Sequence, residues 1–262
     1  MPYGLYISAE GAQAQSRRLE IIANNMANVD TVGFKRELAI FQARYAEAVE
    51  QGQAKPGSGS IDDTGGGIML RRTVTDYSPG PMKRTESPTD VAISGEGFFL
   101  VEKDQQQYLT RAGNFRLTER GELVTQQGYA VLSDNGSPIA IDPRNGPCEV
   151  TPAGAVRQGA ASQNLALVRP ASPDSLVKVG ENLFRPVGGD PQPVVAGQRR
   201  VASGYLELSG VRPTTELVQM IEASRAVEAN LSMMRAQDQM LSGLVTRVMR
   251  ALGGGGGIGI GD

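Results

Sequence analysis

The sequence predicts an α+β chain in which long amphipathic helices at the N- and C-termini pair as a coiled-coil-like domain and an antiparallel all-β domain is inserted between them. Three observations predict it. Apolar side chains recur at steps of three and four near both ends, the middle breaks into short extended runs separated by turn signals, and residues 51–67 are polar and rich in glycine. The 262 residues therefore divide into a discontinuous helical assembly domain at 1–50 and 213–252, a flexible linker or extended loop at 51–84, an antiparallel β domain at 85–212, and a flexible glycine-rich tail at 253–262.

Near the N-terminus Leu5, Ala9, Ala12, Ser16, Leu19, Ile22, Met26 and Val29 share one stripe, of a helix about 40 Å long at ~1.5 Å per residue. The small residues Ala9 and Ala12 would let a partner helix approach closely. A second helix is expected from Phe34 to Glu50, with Leu38, Phe41, Tyr45, Ala48 and Val49 on one face. The segment QGQAKPGSGSIDDTGGG that follows contains almost nothing to bury. At the C-terminus Leu217, Met220, Ser224, Val227, Leu231, Met234, Asp238, Leu241, Val245 and Val248 alternate steps of three and four without a break, a heptad seam. Ser224 and Asp238 are its polar members, and polar groups in a seam cost stability while fixing register or partner. Pro213, then Thr214 or Thr215 as a cap and Glu216 in the first turn, mark its start.

Between the helices, runs such as DVAISGEGFFLVE, GYAVLSDNGSPIAI and GYLELSG are separated by turns at 119–121, 134–136 and 144–146. Strands this short and this frequent leave no room for crossover helices, so the domain is antiparallel.

Composition removes most chemistry. The chain has no His and one Cys, Cys148, which excludes His-based triads, Cys-His dyads, ordinary zinc sites and an intramolecular disulfide. A net charge of -2 carries no footprint for nucleic acid. Glycine at 33 residues against an average near 7% implies a chain that turns often. Asp62 and Asp63 sit in a linker, where carboxylates are solvated rather than held at a catalytic separation. Gly65–Gly67 lacks the Lys-Ser/Thr ending of a phosphate loop, and Gly95-Glu96-Gly97 lacks the third glycine of a dinucleotide fingerprint. Neither a cofactor nor a metal is expected, and no enzymatic activity. The first residues, MPYGLYISAEGAQAQSRR, have no basic region followed by an apolar run, so a Sec signal peptide is not expected. No run reaches the 18 or more apolar residues of a membrane span.

One local sequence asks for more. In ANNMANVDTVGFKRE, Asn24, Asn25 and Asn28 end the first helix, Gly33 permits a reversal, and Phe34 restarts the chain, a helix-break-helix joint. These residues resemble the N-terminal signature of the bacterial flagellar rod and hook protein family. The resemblance continues at Asp90–Phe99, at Tyr108–Phe115 with Gly121–Val124, and at Gly204–Glu207 with the helix after it. It covers nearly the whole chain, and the length is similar to the proximal and distal rod proteins rather than the hook protein. The usual Ser-Asn-Val after the Gly-Tyr-Leu-Glu stretch is replaced here by Ser209-Gly210-Val211-Arg212-Pro213.

The resemblance implies a non-enzymatic subunit of the flagellar basal-body rod, exported without a Sec signal through the flagellar type III apparatus and polymerised helically across the periplasm. The long segment from Phe34 to the Gly80-Pro81 turn favours the distal rod type. Its partners would be copies of itself, other rod and hook subunits, the export apparatus and the rings around the rod. The residues assigned to assembly are Asn24, Asn25, Asn28, Gly33 and Phe34 at the joint, and Leu217, Met220, Val227, Leu231, Met234, Leu241, Val245 and Val248 along the seam. The alternatives are a soluble coiled-coil adaptor that dimerises through its C-terminal helix and a carboxylate-dependent peptidoglycan hydrolase, which would need a buried acid pair that no residues mark.

Overall fold

A computed structural model describes residues 3–45, 49, 51, 52, 55, 65–142, 146 and 148–253 of the chain. It is α+β. The terminal helices form where the periodicity places them, at Tyr3–Ala27 and Pro213–Gly253. Pro213 is the first helical residue, where its missing N–H is no loss and its fixed φ suits the turn. Thr214 and Thr215 therefore lie inside the first turn, and neither caps it. Glu216 in that turn and Arg250 in the last complement the helix dipole. Val29, assigned to the first stripe, lies beyond the end of its helix.

Contacts divide the chain into two units, residues 1–24, 38–73 and 214–262 in one and residues 25–37 and 74–213 in the other. In the first unit the two helices run side by side in opposite directions. A Cβ at Gly4 would lie 2.8 Å from Gln237 Nε2, and one at Gly11 would lie 2.9 Å from Asn230 Oδ1. Seven residues forward on one helix thus match seven back on the other. The strands Glu37–Ala43 and Ile68–Thr75 complete this unit as a two-stranded sheet, and Arg44 reaches Glu10 at 2.6 Å.

The helix expected over 34–50 is therefore corrected at Glu37–Ala43, which is a strand, while residues 46–48 and 50, with Ala48 among them, lie outside the described residues. Leu38, Ile40 and Gln42 are exposed while Glu37, Ala39 and Phe41 are half-buried, a period of two in burial that the continuous apolar run from Leu38 to Phe41 does not mark in the sequence. Pairing with 68–75 decides between helix and strand. The expected loop at 51–84 is corrected in its later part, which holds the strands Ile68–Thr75 and Met82–Arg84. Asp62, Asp63 and the tail from residue 254 lie outside the described residues.

The β unit is built on the strand Phe98–Lys103, which pairs with Gln106–Thr110, Ala130–Val131 and Leu167–Arg169, antiparallel in each case. This strand is buried on both faces at its start. Phe99 and Val101 enter one core with Phe115, Leu123, Ile139 and Leu165, while Phe98 and Leu100 enter a second with Leu109, Leu132 and Phe184. Phe99 meets Phe115 edge-on at 5.1 Å, a favoured aromatic arrangement. The nine-stranded sheet containing this strand has Leu176–Gly180 at one edge and Arg116–Leu117 at the other. Two short antiparallel pairs flank it, Val91–Ile93 with Val201–Ser203 and Met82–Arg84 with Tyr205–Glu207. The second pair places Glu207 for the contacts described next.

Candidate assembly site

Residues 25–37 belong to the β unit although the helix they leave begins in the other, and every part of this segment is tied to a named partner. Asn25 is buried at the end of the helix. Its Nδ2 donates to the Glu37 carbonyl at 2.9 Å, and its Oδ1 accepts from the Glu37 N–H at 2.9 Å. The side-chain amide thus acts as a strand partner for a residue twelve positions later. Turns connect the two: Asn28 N donates to Asn25 O at 3.1 Å and Thr31 N to Asn28 O at 3.2 Å, while Thr31 Oγ1 donates to Asn28 Oδ1 at 3.2 Å. Asn24 is exposed.

Gly33 has a φ of +67°, and a Cβ there would lie 2.5 Å from the carbonyl carbon of Arg111. Two independent requirements, positive φ and backbone against backbone, thus select glycine. Its N–H donates to Glu207 O at 2.7 Å. Asn182 Nδ2 fixes the preceding carbonyl, that of Val32, at 2.7 Å. Phe34 is buried with the Lys178 ammonium 4.3 Å from its ring centroid, a cation–π contact. The same ammonium donates to Lys35 O at 2.6 Å and pairs with Glu37 at 3.0 Å. The joint is thus helix, turn and strand. Phe34 anchors the chain on the β unit and starts no helix.

Beneath this segment lies an ionic cluster that the sequence reading did not assemble. Glu207 accepts from Lys35 Nζ at 2.6 Å through Oε1 and from Arg111 Nε at 2.6 Å through Oε2, and the Gly80 N–H adds a third bond at 2.8 Å. All three side chains are buried. Lys35 also donates to Ser78 O at 2.8 Å, and Arg111 donates to the carbonyls of Ile93, Gly95 and Gly97. Burial lowers the Lys35 pKa, against the opposing pull of Glu207. Burial alone would raise that of Glu207, but the Arg111 charge and the Lys35 and Gly80 hydrogen bonds together hold it below the usual glutamate value. Arg36 and Asp76 form a more exposed pair at 2.9 Å.

The sequence did carry a signal for part of this cluster. Arg111 and Glu207 are charged residues among uncharged neighbours, in Leu-Thr-Arg-Ala-Gly and Tyr-Leu-Glu-Leu, whereas Lys35 begins the charged run Lys-Arg-Glu and is not marked in this way. The divergent stretch at 209–213 also finds its geometry, since Gly210 N donates to Phe34 O at 2.9 Å and Val211 N to Ser209 Oγ at 3.3 Å.

The C-terminal seam lies rotated by one position from the expected one. The covered stripe is Glu216, Met220, Ala223, Val227, Asn230, Met234, Gln237 and Leu241. Met220, Val227, Met234 and Leu241 are common to both, Leu217 and Leu231 face solvent beside the stripe, and Val245 and Val248 are exposed beyond its last covered member, Leu241. Among the described residues no group of His, Cys, Asp and Glu could hold a metal ion, and no helix is long and apolar enough to cross a membrane.

Residues 5–35 match the family described as Flagella basal body rod protein, residues 92–158 the Flagellar hook protein FlgE/F/G D1 domain, and residues 202–247 the Flagellar basal body rod FlgEFG protein C-terminal. A flagellar basal-body rod protein FlgF of Caulobacter vibrioides is 36% identical over 250 residues, covering 95% of this chain and 98% of its own length. The chain belongs to the flagellar basal-body rod protein family. Rod proteins FlgG of Buchnera aphidicola (subsp. Schizaphis graminum) and Bacillus subtilis are 35% and 31% identical, each aligned over 92% of this rod-family chain and 97% of its own length. The family is structural and not enzymatic. Lys35, Arg111 and Glu207 fall one in each of the three matched segments, so the cluster joins all three parts of the rod-family chain.

Proposed function

We propose that this chain is a structural subunit of the flagellar basal-body rod, exported by the flagellar type III apparatus and polymerised helically through terminal helices that pair as a coiled-coil-like domain. The observation that carries the reading is the set of apolar side chains left in water at the two ends of the C-terminal helix of a rod-family chain. Val218, Ile221, Leu244, Val245, Val248 and Met249 are all more than half exposed. Each stabilises an assembly that covers it by about 25 cal/mol per Å2 of apolar surface removed from water. The residues assigned to assembly then divide by role. Leu217, Leu231, Val245 and Val248 meet neighbouring subunits, Met220, Val227, Met234 and Leu241 pair the chain's own helices, and Asn25, Asn28, Gly33 and Phe34 set the direction in which the chain leaves the N-terminal helix. Asn24, exposed beside them, faces a neighbour.

Within the family the distal type is favoured by the length of the segment from Phe34 to Pro81. Cryo-imaging of purified basal bodies, with this subunit placed along the axis, tests the whole reading. Density for the chain in the distal part of the rod is expected; density confined to the base reassigns it as proximal, and its absence from the rod overturns the proposal.

A further inference from the structure

A cavity of about 580 Å3 in the β unit adjoins the buried ionic cluster. Lys35 and Arg111 line it, whereas Glu207, the counter-ion of both, does not. Two cations against one carboxylate leave a positive charge uncompensated on the side that faces the cavity. The hydrogen bonds agree. An ammonium has three donors and a guanidinium five, and among the described residues Lys35 uses two of its donors and Arg111 four. Tyr77, Phe98 and Leu176 give the cavity apolar walls, and Arg169 and Glu96, both at its lining, pair at 3.2 Å and offset one another, so the excess positive charge is that of Lys35 and Arg111 over Glu207.

We propose that this cavity docks a carboxylate side chain, flanked by an apolar residue, from a second copy of this chain. A carboxylate entering it meets an uncompensated buried charge, where the local dielectric makes the attraction strong. The proposal rests on the reading of the chain as a polymerising subunit, because a head-to-tail contact between unlike surfaces repeats at every step of a helical homopolymer.

Two measurements test it. The dilute protein is titrated with N-acetyl-Ile-Asp-amide and with N-acetyl-Ile-Asn-amide while the amide resonances of Gly95 and Gly97 and the Arg111 Nε–H are followed by NMR. Saturable shifts with the acid, at least tenfold tighter than with the amide, are expected; equal or absent shifts overturn the carboxylate site. In flagellated cells, the photo-crosslinking residue benzoylphenylalanine is placed at Ala171, which is exposed on the lining. The expected adduct is a covalent dimer of this chain with the link on an acid-containing peptide. An adduct to a different protein, or none, in basal bodies that contain the chain overturns the docking and leaves the rod reading intact. Absence of the chain from basal bodies overturns both.

Discussion

Asn25 and Glu37 exchange two hydrogen bonds of 2.9 Å, side-chain amide to backbone in both directions, and so close the turn that carries the chain from the N-terminal helix into the β unit. No other side chain of this size has the donor and acceptor needed side by side. Asn25→Asp removes the donor, and Asn25→Ala leaves both Glu37 groups unpaired. Each variant is expected to lose about 1–3 kcal/mol, the cost of unsatisfied buried polar groups. Urea denaturation checks the loss, and hydrogen exchange should localise it to the Glu37 amide.

Gly33→Val is expected to be the most damaging single change in the segment. Its Cβ would collide with the Arg111 backbone at 2.5 Å, and positive φ adds about 1–2 kcal/mol for any residue with a Cβ. Swimming should be lost while the protein is still made and its β unit still gives native near-ultraviolet dichroism. Phe34→Ala, which empties a buried site and removes the ring beneath Lys178, should act in the same direction at about 3–5 kcal/mol. Normal swimming of both variants would show that this segment does not direct assembly.

The ionic cluster should respond asymmetrically to its own mutations. Glu207→Gln leaves Lys35 and Arg111 buried side by side with no counter-charge, at about 3–5 kcal/mol. Lys35→Met keeps the Arg111–Glu207 pair at 2.6 Å and should cost clearly less. Thermal melts of the two variants settle the order, and the reverse ranking would contradict the assignment of Glu207 as the shared counter-ion.

Acid should loosen the β unit through the same residue. The folded-state pKa of Glu207 lies below its ordinary value, so as pH falls the unfolded chain takes up the proton first and folding stability declines. The contribution is complete above the unfolded glutamate pKa, about 4.3, and is lost as pH drops through the lower folded value. Glu207→Gln should flatten this limb of the stability profile, measured as denaturation midpoint against pH.

Leu244→Asp and Val248→Asp change exposed residues of the C-terminal helix beyond Leu241, the last covered member of its stripe, and surface substitutions stay within about ±0.5 kcal/mol. Both should leave the melting temperature of the monomer unchanged and abolish polymerisation, read by sedimentation and by the absence of rods.

Periodicity alone identified the two terminal helices and the antiparallel middle, because a face that must be buried imprints its repeat on the local sequence whatever it packs against. It also marked Gly33 and the asparagines, since turn chemistry is local. It did not separate helix from strand at 37–43, where the apolar run from Leu38 to Phe41 is continuous and marks neither repeat, and only pairing with Ile68–Thr75 decides. Nor could it fix which half of the C-terminal stripe turns inward, because Gly4 and Gly11 admit Gln237 and Asn230 in place of the expected Asp238 and Leu231. The buried cluster lay furthest from reach. Lys35 and Glu207 are 172 positions apart and Arg111 and Glu207 are 96 apart, and a charge is stable at a buried position only when the tertiary structure delivers its partner.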